Sequence, residues 1–338
     1  MALKDKMLDS VRKFDLDLSG KTVLTEAATG NYVVTPLLAA CAGATVLAYT
    51  KDSHYGSVKE VVRQTQAFAK ALGVEHRINV VTDIQKLDLQ DMDVVTNTGF
   101  LRPIHADFIQ RLSPECVIPL MWEPWEFRPD ELDLAACYAK GIKVYGTNES
   151  DTRVRTMEYL GFVVLSLMLA HKRSPFGSNK VLLVGSERFV APSLKVLARN
   201  GYRIESLTDY DAPKPNVGDF DVVVIMEHER NIRVVAPQNA FIEQEEIRDD
   251  ALVIHICGDV SFDRARFSHQ PEKPSPFGYM SYTADYADSQ AVIDLHAAGL
   301  CVAQGMLQAN SLELEGEAYK AYMESNYPAL AFPDFIYW

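Results

Sequence analysis

The chain has 338 residues, more than one hydrophobic core ordinarily serves, so two domains are expected. Apolar residues make up 48% and charged residues 23%, a globular composition that excludes a disordered chain. The 33 Lys and Arg against 46 Asp and Glu leave a formal net charge of −13, which repels nucleic acid and anionic membranes. Local clusters such as Arg153/Arg155 and His171/Lys172/Arg173 are too small to reverse that field.

Five widely spaced cysteines, with no CxxC pair, read as buried thiols in a reducing compartment and suggest no metal site. No apolar h-region follows the charged start Met-Ala-Leu-Lys-Asp-Lys, and the longest apolar stretch, 159–170, is too short to span a bilayer. A cytoplasmic protein is expected.

Short apolar runs alternate with helical patterns, the signature of parallel βαβ units and of the α/β class. Strands are expected at 22–25, 45–49, 79–81, 93–96, 116–122 and 143–145, with helices at 57–72, 106–112 and 129–140. A helix over 152–171 is apolar on most faces and must be buried between layers. After a linker at 172–179, a second set of strands follows at 181–184, 203–207, 221–226 and 252–256. The segment 271–278 reads as a loop, 289–307 as a returning apolar helix, and the aromatic tail 319–338 as an extended arm. The expected fold is two doubly wound (Rossmann-like or flavodoxin-like) parallel-sheet domains joined by two crossing helices. The first domain spans 1–151 with 300–338, and the nucleotide-binding domain spans 152–299.

This order of parts resembles the D-isomer-specific 2-hydroxyacid dehydrogenases (the formate/glycerate dehydrogenase superfamily), with S-adenosylhomocysteine hydrolases as distant cousins. The run from Asp130 to Ile142 resembles the family's D-N-x-D-L-x-x-A-x-x-x-G-I segment, and Val181-Leu-Leu-Val-Gly185 through Gly201 keeps its glycine spacing. The resemblance implies NAD or NADP, hydride transfer on a small polar or carboxylate substrate in an interdomain cleft, and a homodimer. The chain departs from the family at its chemical motifs. Of G-x-G-x-x-G only Gly185 remains, with Glu187 and Val190 at the other glycine positions. A carboxylate there adds repulsion and bulk where a pyrophosphate would meet the helix N-terminus. The segment Val253 to Asp259 lacks the family's arginine, and Met280 to Thr283 lacks its histidine. Trp125-Glu126-Phe127-Arg128 replaces a glycine-rich substrate loop.

Candidate site residues follow from these positions. The loop after the first strand offers Thr29, Gly30 and Asn31 as a substrate cradle, although Thr29 or Asn31 equally suits a helix cap. Asn97, Glu123 and Glu126 are substrate-binding candidates, and Arg128, beside Trp122 and Trp125, is a clamp for a substrate carboxylate. The alternative for this loop is an aromatic anchor with an internal ion pair. His255 and His296 are the acid/base candidates, either of which also suits a core position. Gly185, Ser186, Glu187, Arg188, Asp209, Cys257, Gly258 and Asp259 are cofactor-binding candidates. Glu227, His228 and Glu229 read as a solvated loop. Competing functions are a non-redox lyase, hydrolase or methyl transferase using the same cleft without a dinucleotide, and a non-catalytic ligand-binding descendant.

Overall fold

The computed structural model describes residues 3–177 and 179–332, which form two compact units, one up to Val154 together with the chain from Ser289 onward, the other from Arg155 to Asp288. In chain order the first unit begins with α1 (Leu3–Lys13), β1 (Thr22–Glu26), α2 (Val34–Cys41), β2 (Thr45–Tyr49), α3 (Val58–Leu72) and β3 (Ile78–Val81). It continues with β4 (Val94–Val95), α4 (Ala106–Ile109), β5 (Val117–Pro119), α5 (Leu134–Lys140) and β6 (Lys143–Thr147). The second unit holds α6 (Thr156–Ala170), β7 (Lys180–Gly185), α7 (Glu187–Arg199), β8 (Arg203–Leu207), β9 (Val222–Met226) and β10 (Arg233–Ala236). Then come β11 (Ile242–Glu243), β12 (Leu252–Cys257), β13 (Asp259–Val260) and β14 (Ser268–Gln270). The chain returns to the first unit with α8 (Ser289–Ser311), α9 (Gly316–Asn326) and β15 (Ala329–Leu330).

The first unit's sheet runs β15-β6-β5-β4-β1-β2-β3, all parallel except β15. Successive residues of one strand feed opposite cores, as a sheet covered on both faces requires. Val23 joins the cluster of α2 and α8, while Leu24 joins that of Ile109 and Cys137. The α3 helix shows how local sequence sets an element: Ser57 caps it by accepting the Glu60 N–H, and Gly73 ends it at φ 75°. Its buried Val61, Thr65 and Ala69 recur every four residues, one stripe against the sheet.

The second unit's main sheet, β14-β12-β9-β7-β8, is wholly parallel, and β11-β10-β13 forms a small parallel sheet beside it. Both large sheets change winding direction at one point, between β1 and β4 in the first unit and between β7 and β9 in the second. Such points are where α/β crevices open.

Several elements differ from the sequence reading. The 116–122 run supplies only three strand residues, Val117 to Pro119, although Leu120 and Trp122 still bond Tyr145 and Thr147 of the neighbouring β6. The second-unit boundary lies at 155–288, not 152–299, because all of α8 belongs to the first unit. The two helices expected to cross as a pair fall in different units. The α6 helix packs on α7, and α8 packs among α1, α2, α9, β5 and β6. The tail is no extended arm over 316–326, where Tyr319 and Met323 are buried one helical turn apart. Its last six residues, 333–338, lie outside the described residues. Among the described residues no helix is long and apolar enough to cross a membrane.

Candidate active site

In the first unit the loops after β4 and β5 build a small pocket. Asn97 follows β4, and its Oδ1 accepts the Met121 N–H at 3.0 Å, tying the two loops together. That bond fixes the carboxamide and leaves its NH2 end as the donor for the pocket that Asn97 lines. Ile104 takes part in two backbone bonds, donating to Glu131 at 2.9 Å and accepting from Asp133 at 3.0 Å. The segments around 102 and 131 therefore run side by side.

The resulting pocket, a narrow one open to solvent, is lined by Asn97, Arg102, Trp122, Phe127, Arg128 and Glu131 among others. Arg102 Nη1 donates to Glu131 Oε2 at 2.7 Å, and its guanidinium carbon lies 5.0 Å from the centre of the Trp122 ring. Its Nε is buried with no hydrogen-bond partner among the described residues. Arg128 Nη1 approaches both Glu131 oxygens at 3.4 Å. Two guanidiniums thus share one carboxylate at the pocket wall, and the Glu126 and Glu123 carboxyls act on the same charges. Planar guanidiniums suit a carboxylate.

The neighbouring loop supplies acids in two different states. Glu123 is fully buried and spends its oxygens on the Trp125 indole N–H at 3.0 Å and the Glu149 amide at 2.8 Å, so it pins the loop. Trp125, expected to wall the pocket, serves that pin instead. Glu126 is pushed up to about 7 by burial and by the Glu123 carboxylate, against the pull of Arg128 and Arg102. It can therefore change charge near neutral pH within reach of the anion site.

At this unit's winding reversal, Thr25, Thr96 and Thr98 form a buried hydroxyl chain with links of 2.8 Å from Thr25 to Thr96 and from Thr96 to Thr98. Glu26 lies on Gly99 and accepts the Phe100 N–H at 3.2 Å, while burial raises its carboxyl above the usual range. A Cβ at Gly99 would fall 1.7 Å from Glu26 Oε1, and φ is 41° there, so glycine is required. Thr29 donates to the Tyr55 carbonyl at 3.1 Å and does not cap a helix. Gly30 and Asn31 open a 3-10 turn, and α2 starts only at Val34.

The second unit's carboxyl edge is closed by its own side chains. Gly185 ends β7 at φ 149°, and a Cβ there would lie 2.2 Å from the Met226 carbonyl oxygen. The turn is as tight as the family glycine implies. Across it lies Glu227, 1% exposed, at the end of β9. Its Oε1 accepts the Ser186 hydroxyl at 2.6 Å and the backbone N–H groups of Glu229 and Arg230 at 2.8 and 2.9 Å. Tyr210, in the loop after β8, donates to Oε2 at 2.7 Å. Burial works to raise this carboxyl, but the bonds from Ser186, Arg230, Tyr210 and Glu229 outweigh it and hold it below the usual range. Glu227 is an ionised internal carboxylate, not part of a solvated loop.

The other second-unit candidates fall into place around it. Glu187 is exposed as the first residue of α7, where a carboxylate suits the helix dipole. Asp209 is exposed and accepts the Asp211 N–H at 3.0 Å, as a turn former does. Asp259 pairs with Arg233 at 2.6 Å. Cys257 and Gly258 are buried, and the Cys257 carbonyl accepts the Glu227 N–H at 3.2 Å. His228 stacks on Phe189 with ring centres 4.0 Å apart, and burial together with Arg188 lowers its affinity for a proton.

Both candidate acid/base histidines are buried and neutral. His255 Nε2 bonds the Gly258 carbonyl at 3.1 Å, so it must carry the hydrogen, and Nδ1 accepts from Ser281 at 2.7 Å. His296 Nδ1 meets Thr35 Oγ1 at 2.5 Å. Burial pulls each ring down to about 4. The nearby Asp294 ties α8 to α1 through Ser10 and Lys13.

The sequence reading missed Arg102, Glu131, Tyr210 and the position of Glu227. A signal existed for Arg102, an arginine five residues after Asn97 beyond a strand end. None existed for Glu227, whose burial depends on Tyr210 and Ser186. Among the described residues no group of three His, Cys, Asp or Glu stands close enough to hold a metal ion.

A nicotinamide dinucleotide is the group this fold implies. The Gly185 turn fits its backbone requirement, but the residues as they stand do not fit its pyrophosphate. An ionised carboxylate already spans β7 and β9 and takes the donors that an anion would use.

No protein-family model matches the chain, and no curated protein does. Among solved structures, a dipicolinate synthase chain from Bacillus halodurans matches with a TM-score of 0.53 at 11% identity, covering 89% of this chain and 100% of that one. D-lactate dehydrogenase with NAD+ from Lactobacillus jensenii gives 0.48 at 9% identity, covering 85% and 97%. A putative D-3-phosphoglycerate dehydrogenase from Ralstonia solanacearum gives 0.48 at 11% identity, covering 90% and 98%. At such identities the likeness speaks for fold alone, and the chain has the two-unit Rossmann-like α/β fold expected of it.

Proposed function

We propose that the first unit binds a small carboxylate-bearing substrate against Arg102 and Arg128, with Asn97 donating to a neighbouring oxygen. The observation that carries this reading is the pair of guanidiniums sharing Glu131 at a pocket wall, with the Arg102 Nε buried and unmatched among the described residues. In this reading Arg128, whose guanidinium also makes an internal ion pair with Glu131, is the clamp and Arg102 joins it. Trp122 holds Arg102 in place through its ring face. Glu126, poised near neutrality, is the group that can give or take a proton at this edge. The experiment is calorimetric titration with pyruvate, glyoxylate and oxalate. Saturable binding lost in Arg102→Ala and Arg128→Ala supports the site, and binding indifferent to both rejects it.

For the reaction, the fold and the Gly185 turn favour an oxidoreductase of the 2-hydroxyacid dehydrogenase kind, with NAD or NADP as hydride carrier. That carrier enters only if Glu227 leaves its place. Glu227 itself favours the second reading, a non-redox enzyme or ligand-binding protein that uses the same carboxylate pocket. Fluorescence titration with NADH and NADPH separates the two. The proposal includes a cytoplasmic homodimer, whose oligomeric state sedimentation measures.

A further inference from the structure

The donors gathered around Glu227 are those an anionic ligand would recruit. The Ser186 hydroxyl lies at the end of β7, the backbone amides of Glu229 and Arg230 lie beyond β9, and all three meet one carboxylate oxygen within 2.6 to 2.9 Å. The second oxygen is covered by Tyr210, from the loop after β8, where a Rossmann-type unit reads a ribose. The Arg230 guanidinium lies 5.3 Å from the centre of the Tyr210 ring and backs that cover. The site is the winding reversal between β7 and β9, where α/β sheets bind ligands.

We propose that Glu227 is an internal occupant of the second unit's ligand crevice, whose carboxylate excludes phosphate-bearing nucleotides by charge and by holding their donors, with Tyr210 as its cover. Glu187, the acid that interrupts the glycine fingerprint, is exposed and leaves the donors alone. Glu227 is thus the specificity-determining residue. A nucleotide phosphate and the Glu227 carboxylate are alternatives for one place.

The test is calorimetric titration of ADP, with NADH fluorescence alongside, on the whole chain as wild type, Glu227→Gln, Glu227→Ala, Glu227→Asp and Tyr210→Phe. Melting curves report folding. Glu227→Gln keeps the shape and removes the charge, so ADP should bind about tenfold tighter or more, since a like charge in a partly buried place is worth that much. Glu227→Ala also releases the donors and should gain further. Glu227→Asp and Tyr210→Phe keep the charge and should stay within about threefold of wild type. Equal ADP affinity in wild type, Gln and Ala overturns the inference, as does an absence of binding in all three. A gain in Tyr210→Phe matching that in Glu227→Gln overturns it as well, because closure and not charge would then decide. Should Glu227→Gln and Glu227→Ala fail to fold, wild-type binding of ADP below about 10 µM or no measurable wild-type binding overturns it, and measurable but weaker binding upholds it. Tight wild-type NADH binding sinks the inference and leaves the oxidoreductase reading standing. Binding gained only in the variants does the reverse.

Discussion

Glu131 gives the first unit's pocket its sharpest test, because removing an acid there should tighten an acid's binding. Its carboxylate meets Arg102 at 2.7 Å and Arg128 at 3.4 Å, so it neutralises half of the positive charge that a ligand carboxylate would meet. Glu131→Gln keeps the side chain's shape and one acceptor oxygen while removing one negative charge from the wall. At about 5 Å and an effective dielectric between 20 and 80, the added attraction is about 1 to 3 kcal/mol. Solvent screening favours the lower end, because both the Arg102 and Glu131 side chains keep 27% of their exposure. Oxalate or pyruvate should therefore bind about five- to tenfold tighter in calorimetry at low salt, with the gain shrinking as salt rises. The same substitution should cost the fold less than about 1 kcal/mol, the usual worth of a partly exposed pair. Weaker carboxylate binding in Glu131→Gln would refute the reasoning, because it would mean that Glu131 itself holds the ligand through a hydroxyl or amine.

The pH dependence of that binding should follow Glu126. Held near 7 by burial and by Glu123, it gains its charge as pH rises past neutrality, so carboxylate affinity should fall between about pH 6 and 8 in wild type. Glu126→Gln should flatten the profile, and an unchanged slope removes Glu126 from the site. His228 and His255 of the second unit set a stability limit of opposite direction. Burial holds both near 4, below the ordinary 6.5, so the native rings stay neutral while the unfolded chain takes up protons. Their contribution is complete above 6.5 and is lost as pH falls toward 4, up to about 3 kcal/mol for each ring. Urea unfolding followed from pH 7 to 4 should show that loss, and a flat profile would deny it. At Gly185, a methyl group would meet the Met226 carbonyl oxygen, backbone that cannot swing aside, at 2.2 Å. Gly185→Ala should cost about 3 kcal/mol or more, read as a large drop in melting temperature.

What was legible in the sequence was whatever one strand or helix decides by itself. The buried runs Val181 to Val184 and Val222 to Met226 declare parallel strands because both faces are apolar, and Ser57 and Gly73 mark the ends of α3 within their own few residues. The small sheet of β10, β11 and β13 was not legible. Two of its strands are two residues long, and only their partners make them strands. Side-chain roles divide in the same way. Arg128 could be assigned to a carboxylate from its place after a strand beside two tryptophans. Its partner Arg102 comes from another loop, and only the backbone bonds of Ile104 bring the two to one carboxylate. His255 and His296 shared the chemistry of an acid/base, but a ring's neighbours decide whether its nitrogens are available: Gly258 and Ser281 engage both nitrogens of His255, and Thr35 engages Nδ1 of His296.

The two acids at the nucleotide turn carry this furthest. In the sequence Glu187 interrupts a glycine fingerprint and Glu227 sits in a polar triplet, so the first looks obstructive and the second solvated. In the fold Glu187 begins a helix and points into water, at a cost to ligands that solvent screens, while Glu227 is buried across the crevice with four donors on its oxygens. A motif reports which residues stand next to each other along the chain. Exclusion of a phosphate depends instead on which charge is desolvated beside it, and here that charge arrives from a strand 41 residues past Ser186. The side chain at 187 and the place of Glu227 agree with each other: with an internal carboxylate in the crevice, no close ligand approach remains for a glycine at 187 to serve, while Val190 packs at 1% exposure where the fingerprint puts a glycine for close helix–strand packing.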